Sequence, residues 1–204
     1  MKKLTFLMLL TLLGCKQQTF DVLIKGGTVY DGSGKPGIKA DIGINADTVA
    51  FIGDLSGANG KNVIDASGQA VAPGFINMMS HAEVSLLLDG DSQSDIRQGI
   101  TLEVLGEGSM GPLSPAMKKE YEDMMKRNPD FKFDLDWTTL GEYLESLQRR
   151  GISPNVASFV GTTVTRVHEL GYQNRKPTSE ELERMKALIK TAMEEGAMGT
   201  TCAL

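Results

Sequence analysis

The hydrophobic pattern changes once along the chain, at Pro73. Residues 20–72 carry short apolar runs of alternating spacing, each closed by a turn signal. From Pro73 onward, short β-rich runs alternate with stretches whose apolar residues recur at helical spacing. A chain patterned this way is expected to fold as two differently built parts, a small antiparallel β unit over 20–72 and an α/β part over 73–204.

In the first part, "FDVLIKGGTVY" predicts a bent strand or strand pair broken at Gly26-Gly27. "KADIGINADTVAFIGD" predicts two strands joined by a tight turn at Ala46-Asp47, and "NVIDASGQAVAPGF" one or two more around a turn at Ser67-Gly68. In the second part, "GFINMM" predicts a buried strand, "SDIRQGI" a short helix, "TLEVLG" a strand and "PAMKKEYEDMMKR" a helix. The segment "TTLGEYLESLQRR" sets Leu140, Tyr143, Leu144 and Leu147 on one helical face and ends at Gly151. "NVASFVG" predicts the next strand. Thr178 and Glu181 form a capping box ahead of a helix with Leu182, Met185, Leu188, Ile189, Ala192 and Met193 at helical spacing, and "AMGTTCAL" begins a further strand. About four βα steps result, which an open doubly wound sheet or part of an eight-unit barrel would equally satisfy.

Several function classes lose ground at once. No G-x-G-x-x-G follows the first strand and no P-loop is present, which argues against nucleotide binding. The formal charge is −5 and the basic residues are scattered among acids, which argues against nucleic acid.

The N-terminus, "MKKLTFLMLLTLLGC", has two lysines and then an apolar run too short to span a bilayer, the layout of a signal peptide over residues 1–15. Its "LLGC" resembles the bacterial lipobox, which makes Cys15 the expected site of lipidation and the chain an exported lipoprotein anchored in a bacterial envelope membrane. An ordinary signal peptide or an uncleaved anchor is the alternative. With Cys15 acylated, Cys202 alone remains, so no intrachain disulfide is expected.

The β unit followed by "VIDASGQAVAPGFI" and a strand ending near a histidine resembles the amidohydrolase superfamily. "QGITLEVLGEG", "LGEYLESLQRRGISPNVASFVG", "TRVHELG" and "ELERMKALIKTAMEEGAMG" are similar to its N-acyl-D-amino-acid deacylase branch. The resemblance implies a small N-terminal β-sandwich followed by about the first half of a TIM-like (β/α)8 barrel. It also implies zinc, one or two ions in the intact parent, polarising a carbonyl and activating water while a carboxylate moves the proton. The implied substrates are N-acyl-D-amino acids or related acylated amines.

The same resemblance exposes departures. Where the family carries D-x-H-x-H, this chain reads Asn77, Met78, Met79, Ser80, His81, so one of two imidazoles survives, and Met79 is a poor zinc donor. Where the family carries G-N-C-G, this chain reads Gly106, Glu107, Gly108, Ser109, with a carboxylate one position before the missing thiolate. His81 and Glu107 are therefore the candidate metal ligands, against plain readings as a structural histidine and a solvated loop glutamate. Arg166 and Arg175 are candidates for gripping a substrate carboxylate, since guanidinium binds carboxylate bidentately; surface arginines are the alternative. His168 is either a pocket-rim residue or a satisfied histidine at a helix start. The family's other metal-binding histidines and its catalytic aspartate belong to strands beyond Leu204. The expectation is thus an N-terminal portion of a longer hydrolase, inactive by itself; a non-catalytic binding module or a functionless fragment are the rival readings.

Overall fold

The computed structural model describes residues 18–202. The predicted signal peptide and Cys15 lie outside the described residues. The chain divides into two compact units, Met1–Pro73 and Gly74–Leu204.

The first unit is built on β1 (Thr19–Val29), which pairs antiparallel with β2 (Ile38–Asn45); β2 in turn pairs antiparallel with β3 (Thr48–Gly53). The expected break at Gly26-Gly27 is a bulge in one continuous strand: the register shifts between Ile24 and Gly27, and Gly26 takes φ 73°, which glycine adopts without steric cost. Asp41 pins the bulge, its Oδ1 accepting from the Gly26 N–H at 2.8 Å while its Oδ2 accepts from the Leu55 N–H at 3.1 Å. The expected all-antiparallel unit is corrected in one respect. β4 (Asn59–Asp65) and β5 (Ala70–Val71) both run parallel to β1, giving a mixed sheet of order β3-β2-β1-β4 with β5 also on β1. Phe20, Leu23 and Leu55 form the buried cluster, and Phe20 lies so close over Gly43 that a Cβ there would meet its ring at 2.5 Å.

In the second unit, β6 (Phe75–Ser80) leads through α1 (Ser85–Leu88) and α2 (Gln93–Ile96) to β7 (Ile100–Leu105). The helices α3 (Pro115–Arg127) and α4 (Leu140–Arg150) precede β8 (Asn155–Ser158). The order β6-β7-β8 is parallel throughout. The single strand expected from "NVASFVG" breaks at Phe159: β9 (Val160–Gly161) leaves β8's sheet and, beyond α5 (Thr162–Leu170) and α6 (Ser179–Glu194), pairs parallel with β10 (Thr200–Thr201).

Helix starts follow the sequence signals. Thr139 and Thr178 each close a full capping box, with Glu142 and Glu181, and each cap is worth about 1 kcal/mol. Gly151 ends α4 at φ 76°. α4 buries Leu140, Tyr143, Ser146 and Leu147 against Leu105, Met110, Leu113, Phe133 and Trp137, each large apolar side chain contributing about 1.5–3 kcal/mol. Trp137 satisfies its indole by donating Nε1–H to the Met110 carbonyl at 2.6 Å. α6 differs from expectation: of its apolar stripe Ala192 is buried, while Leu182 and Met193 remain exposed. β6 is likewise open, with Phe75, Ile76, Met78 and Met79 all exposed although a strand in a parallel sheet is ordinarily covered on both faces.

Candidate functional site

Parallel pairing puts the C-terminal ends of β6, β7 and β8 at one end of the sheet, the end where α/β enzymes place their chemistry. β6 ends in a distortion. Met79 takes φ 58°, rare for a residue with a Cβ, and the register against β7 slips between Met78 and Ser80. Its thioether lies on Gly106, 3.0 Å from where a Cβ at that position would stand.

Gly106 is the hub. Its carbonyl accepts from Thr201 Oγ1 at 2.7 Å, bringing the end of β10 to the end of β7. Ser109 Oγ accepts from the Gly161 N–H at 3.0 Å and donates to the Gly111 carbonyl at 2.8 Å, so the loop after β7 is tied to β9. The approach at Gly161 is close enough that a Cβ would stand 2.6 Å from the Glu107 carbonyl. His81 follows β6 and Glu107 follows β7, and both are exposed at this end of the sheet.

Glu83, two residues beyond His81, is a site residue that the sequence reading did not single out. It is 6% exposed and its Oε1 has no hydrogen-bond partner. Leu86 and Leu87 of α1 enter the core and draw the preceding loop inward, and Tyr143 Oη donates to the Glu83 carbonyl at 2.8 Å. Burial raises the Glu83 carboxyl above the ordinary glutamate range, opposed by its own N–H, the nearby His81 and the Gly106 N–H. The available signal was its setting, an acid between Ala82 and Val84 just ahead of Leu86-Leu87, where a solvated glutamate is out of place.

Glu103 lies deeper on β7, fully buried at 0% exposure. Its Oε2 accepts from Asn77 Nδ2 at 2.9 Å across the strand pair, and its Oε1 is unpartnered. The sheet thus carries two buried carboxyl groups with one oxygen each left over, an arrangement that costs free energy until a donor arrives.

The other sequence candidates are employed elsewhere. Arg175 grips Glu181 bidentately at 2.7 and 2.6 Å, and Arg166 Nη2 donates to the carbonyls of Gln173 and Arg175. Both guanidiniums, the candidates for holding a substrate carboxylate, have local partners that fix the loop between α5 and α6. His168 sits in the last turn of α5, not at its start, with Nδ1 3.1 Å from Glu169 Oε1. A groove of about 600 Å³ runs along α4, lined by Leu144, Leu147, Ile152, Val156 and Glu195, and none of His81, Glu83 or Glu107 borders it.

Among the described residues, no group of three or more His, Cys, Asp or Glu side chains is placed to hold a metal ion. One imidazole at His81 and the exposed Glu107 do not make the three-donor shell a catalytic zinc requires, so these residues do not by themselves fit a metal site.

The chain is 36% identical over 184 residues to D-aminoacylase of Alcaligenes xylosoxydans, an alignment covering 89% of this chain and 37% of that protein. It superposes on a solved D-aminoacylase, studied for the role of its binuclear metal centre, with a TM-score of 0.72 at 32% identity over 89% of this chain. The chain is a homologue of the D-aminoacylases. A second deacylase of this group, N-acyl-D-glutamate deacylase from Bordetella bronchiseptica solved with zinc and a phosphonate inhibitor, matches with a TM-score of 0.74 at 27% identity, covering 90% of this chain and 38% of that one. The chain spans little more than a third of the length of these D-aminoacylase relatives. No protein-family model matches it.

Proposed function

We propose that the chain belongs to a zinc-dependent amidohydrolase that cleaves the amide bond of N-acyl-D-amino acids or related acylated amines. In this reading it contributes a small β-sandwich unit and about the first half of a (β/α)8 barrel. The observation that supports it best is the placement of His81 and Glu83 after β6 and of Glu107 after β7, at the C-terminal end of a parallel strand pair, in a chain homologous to D-aminoacylases.

The chain's own residues have definite parts to play. Glu83 after β6 and Glu107 after β7 offer carboxyl groups, one buried and one solvated, the kind of split that lets two like groups hold a proton differently. Met79 and the buried Ser80 narrow the end of β6. A bound zinc ion would supply carbonyl polarisation and water activation; His81 and Glu107 would each offer it one donor, fewer than the three a catalytic zinc requires. Anchorage to an envelope membrane through Cys15 is part of the same proposal.

The test is release of free amine from a panel of N-acyl-D-amino acids and acylated alkylamines by the purified longer hydrolase of which this reading makes the chain a part, with zinc supplied and then chelated. Zinc-dependent release supports the reading. Absence of release from every substrate by folded, zinc-treated protein refutes it and favours a second reading, a non-catalytic binding module, which Met79 in the histidine position and Gly108 in the cysteine position also favour.

A further inference from the structure

The hollows of the second unit differ in which ends of the strands supply their walls. The groove along α4 takes Gly151, Ile152, Pro154 and Asn155 from the segment that enters β8, at the N-terminal end of that strand. A cavity of about 560 Å³ is walled instead by α3 and Tyr172. α3 belongs to the segment between β7 and α4, and Tyr172 to the segment between α5 and α6 that follows β9. Both segments leave the C-terminal ends of strands, where α/β folds gather their binding residues.

The charged groups of this cavity already have partners. Glu120 Oε2 accepts from Tyr172 Oη at 2.9 Å, Asp123 is paired with Lys119 and Lys126 at 3.1 and 3.2 Å, and Arg127 Nε donates to the Asp123 carbonyl at 3.2 Å. What the walls still offer a ligand is apolar and adaptable, the side chains of Met117 and Met124 and the rings of Tyr121 and Tyr172. Tyr121 joins the cavity to the strand ends. Its Oη donates to Met110 Sδ at 3.3 Å, in the loop after β7 that also carries Glu107 and Ser109. Burial, and then the charge of the nearby Glu83, raise its hydroxyl above the ordinary tyrosine range.

We propose that this cavity is the subsite for the acyl chain of the substrate, and that it favours a chain of several methylenes over acetyl. The proposal rests on the reading of the strand ends as an acylated-amine site. The volume of about 560 Å³ is that of a small-ligand site, and methionines re-pack around chains of different length, so the preference is graded. Tyr172, 77% exposed, forms the outer wall with its hydroxyl on Glu120.

N-acetyl-, N-butanoyl- and N-hexanoyl-D-alanine, titrated calorimetrically into the full chain, read the preference directly. Each buried methylene is worth about fourfold in affinity, so binding should tighten at each step, with hexanoyl at least about tenfold tighter than acetyl. Tyr172→Ala, at an exposed position, and Met124→Gln, checked for folding by its thermal melt, should each remove most of that gain. Ile76→Ser, on the exposed apolar face of β6, should leave it intact. Equal binding of the three probes, a gain that survives in both cavity variants, or a gain lost in Ile76→Ser overturns the proposal and leaves the acylated-amine reading standing. Failure of every probe to bind also overturns it, and amine release by the longer hydrolase then decides the wider reading by itself.

Discussion

Ser109 Oγ and the Gly161 N–H meet at 3.0 Å, and this bond fastens the loop after β7 to the short strand β9. The same hydroxyl donates to Gly111, so both of its capacities are used in a buried place. Ser109→Ala should therefore lower stability by about 1–3 kcal/mol, because it strands a buried N–H. Urea unfolding reads the loss, and a change within error of zero would mean that water replaces the hydroxyl.

Glycine tolerance should differ sharply between the loop that carries Ser109 and the strand β9 it is tied to. A Cβ at Gly161 would stand 2.6 Å from the Glu107 carbonyl, while at Gly108 it would meet nothing within 4 Å. Gly161→Ala is expected to cost more than about 2 kcal/mol, and Gly108→Ala less than about 0.5 kcal/mol. Comparable melting temperatures for the two variants would contradict the close approach.

The aromatic centre gives a direct optical readout. Trp137 is the chain's single tryptophan, stacked on Phe133 and tilted against Tyr143. Leu147→Ala opens a cavity in this cluster and should cost about 2–5 kcal/mol. Tryptophan fluorescence followed through denaturation should show the midpoint fall with the slope unchanged.

Acid should loosen the α5–α6 loop. Arg175 and the Thr178 N–H hold the Glu181 carboxyl down to about 2, from an unfolded value near 4.5. A depressed carboxyl stabilises the fold above its unfolded pKa and loses that contribution as pH falls toward the folded value. Stability should thus decline between about pH 4.5 and 2, and Glu181→Gln should flatten the decline. Solvent exposure keeps the effect small, so the comparison is between melting curves of the two proteins across that window.

Local signals in the sequence carried a good share of this architecture. The capping boxes at Thr139 and Thr178, the stop at Gly151 and the bend at Gly26 are written in residues next to the feature they cause. What local pattern could not carry is pairing between distant segments: whether "NVID" runs with or against β1 depends on the path of the chain between them, and here it runs parallel. The helix α5 was hidden because "TTVTRV" is rich in β-branched residues, which favour strands until packing overrides them. At the site, His81 and Glu107 were legible as residue types near strand ends. Glu83 was not, since its burial comes from leucines further along and a tyrosine sixty residues away.

The bare flanks of β6 govern how this polypeptide can be handled. Phe75, Ile76, Met78 and Met79 present an apolar ribbon whose backbone pairs with β7 and, among the described residues, with no other strand. Any extended strand that arrives there gains hydrogen bonds and dry contacts together. Crowding should therefore favour self-association: concentrated samples are expected to scatter more light than dilute ones, and a chaperone that shields extended apolar segments should raise the recoverable yield.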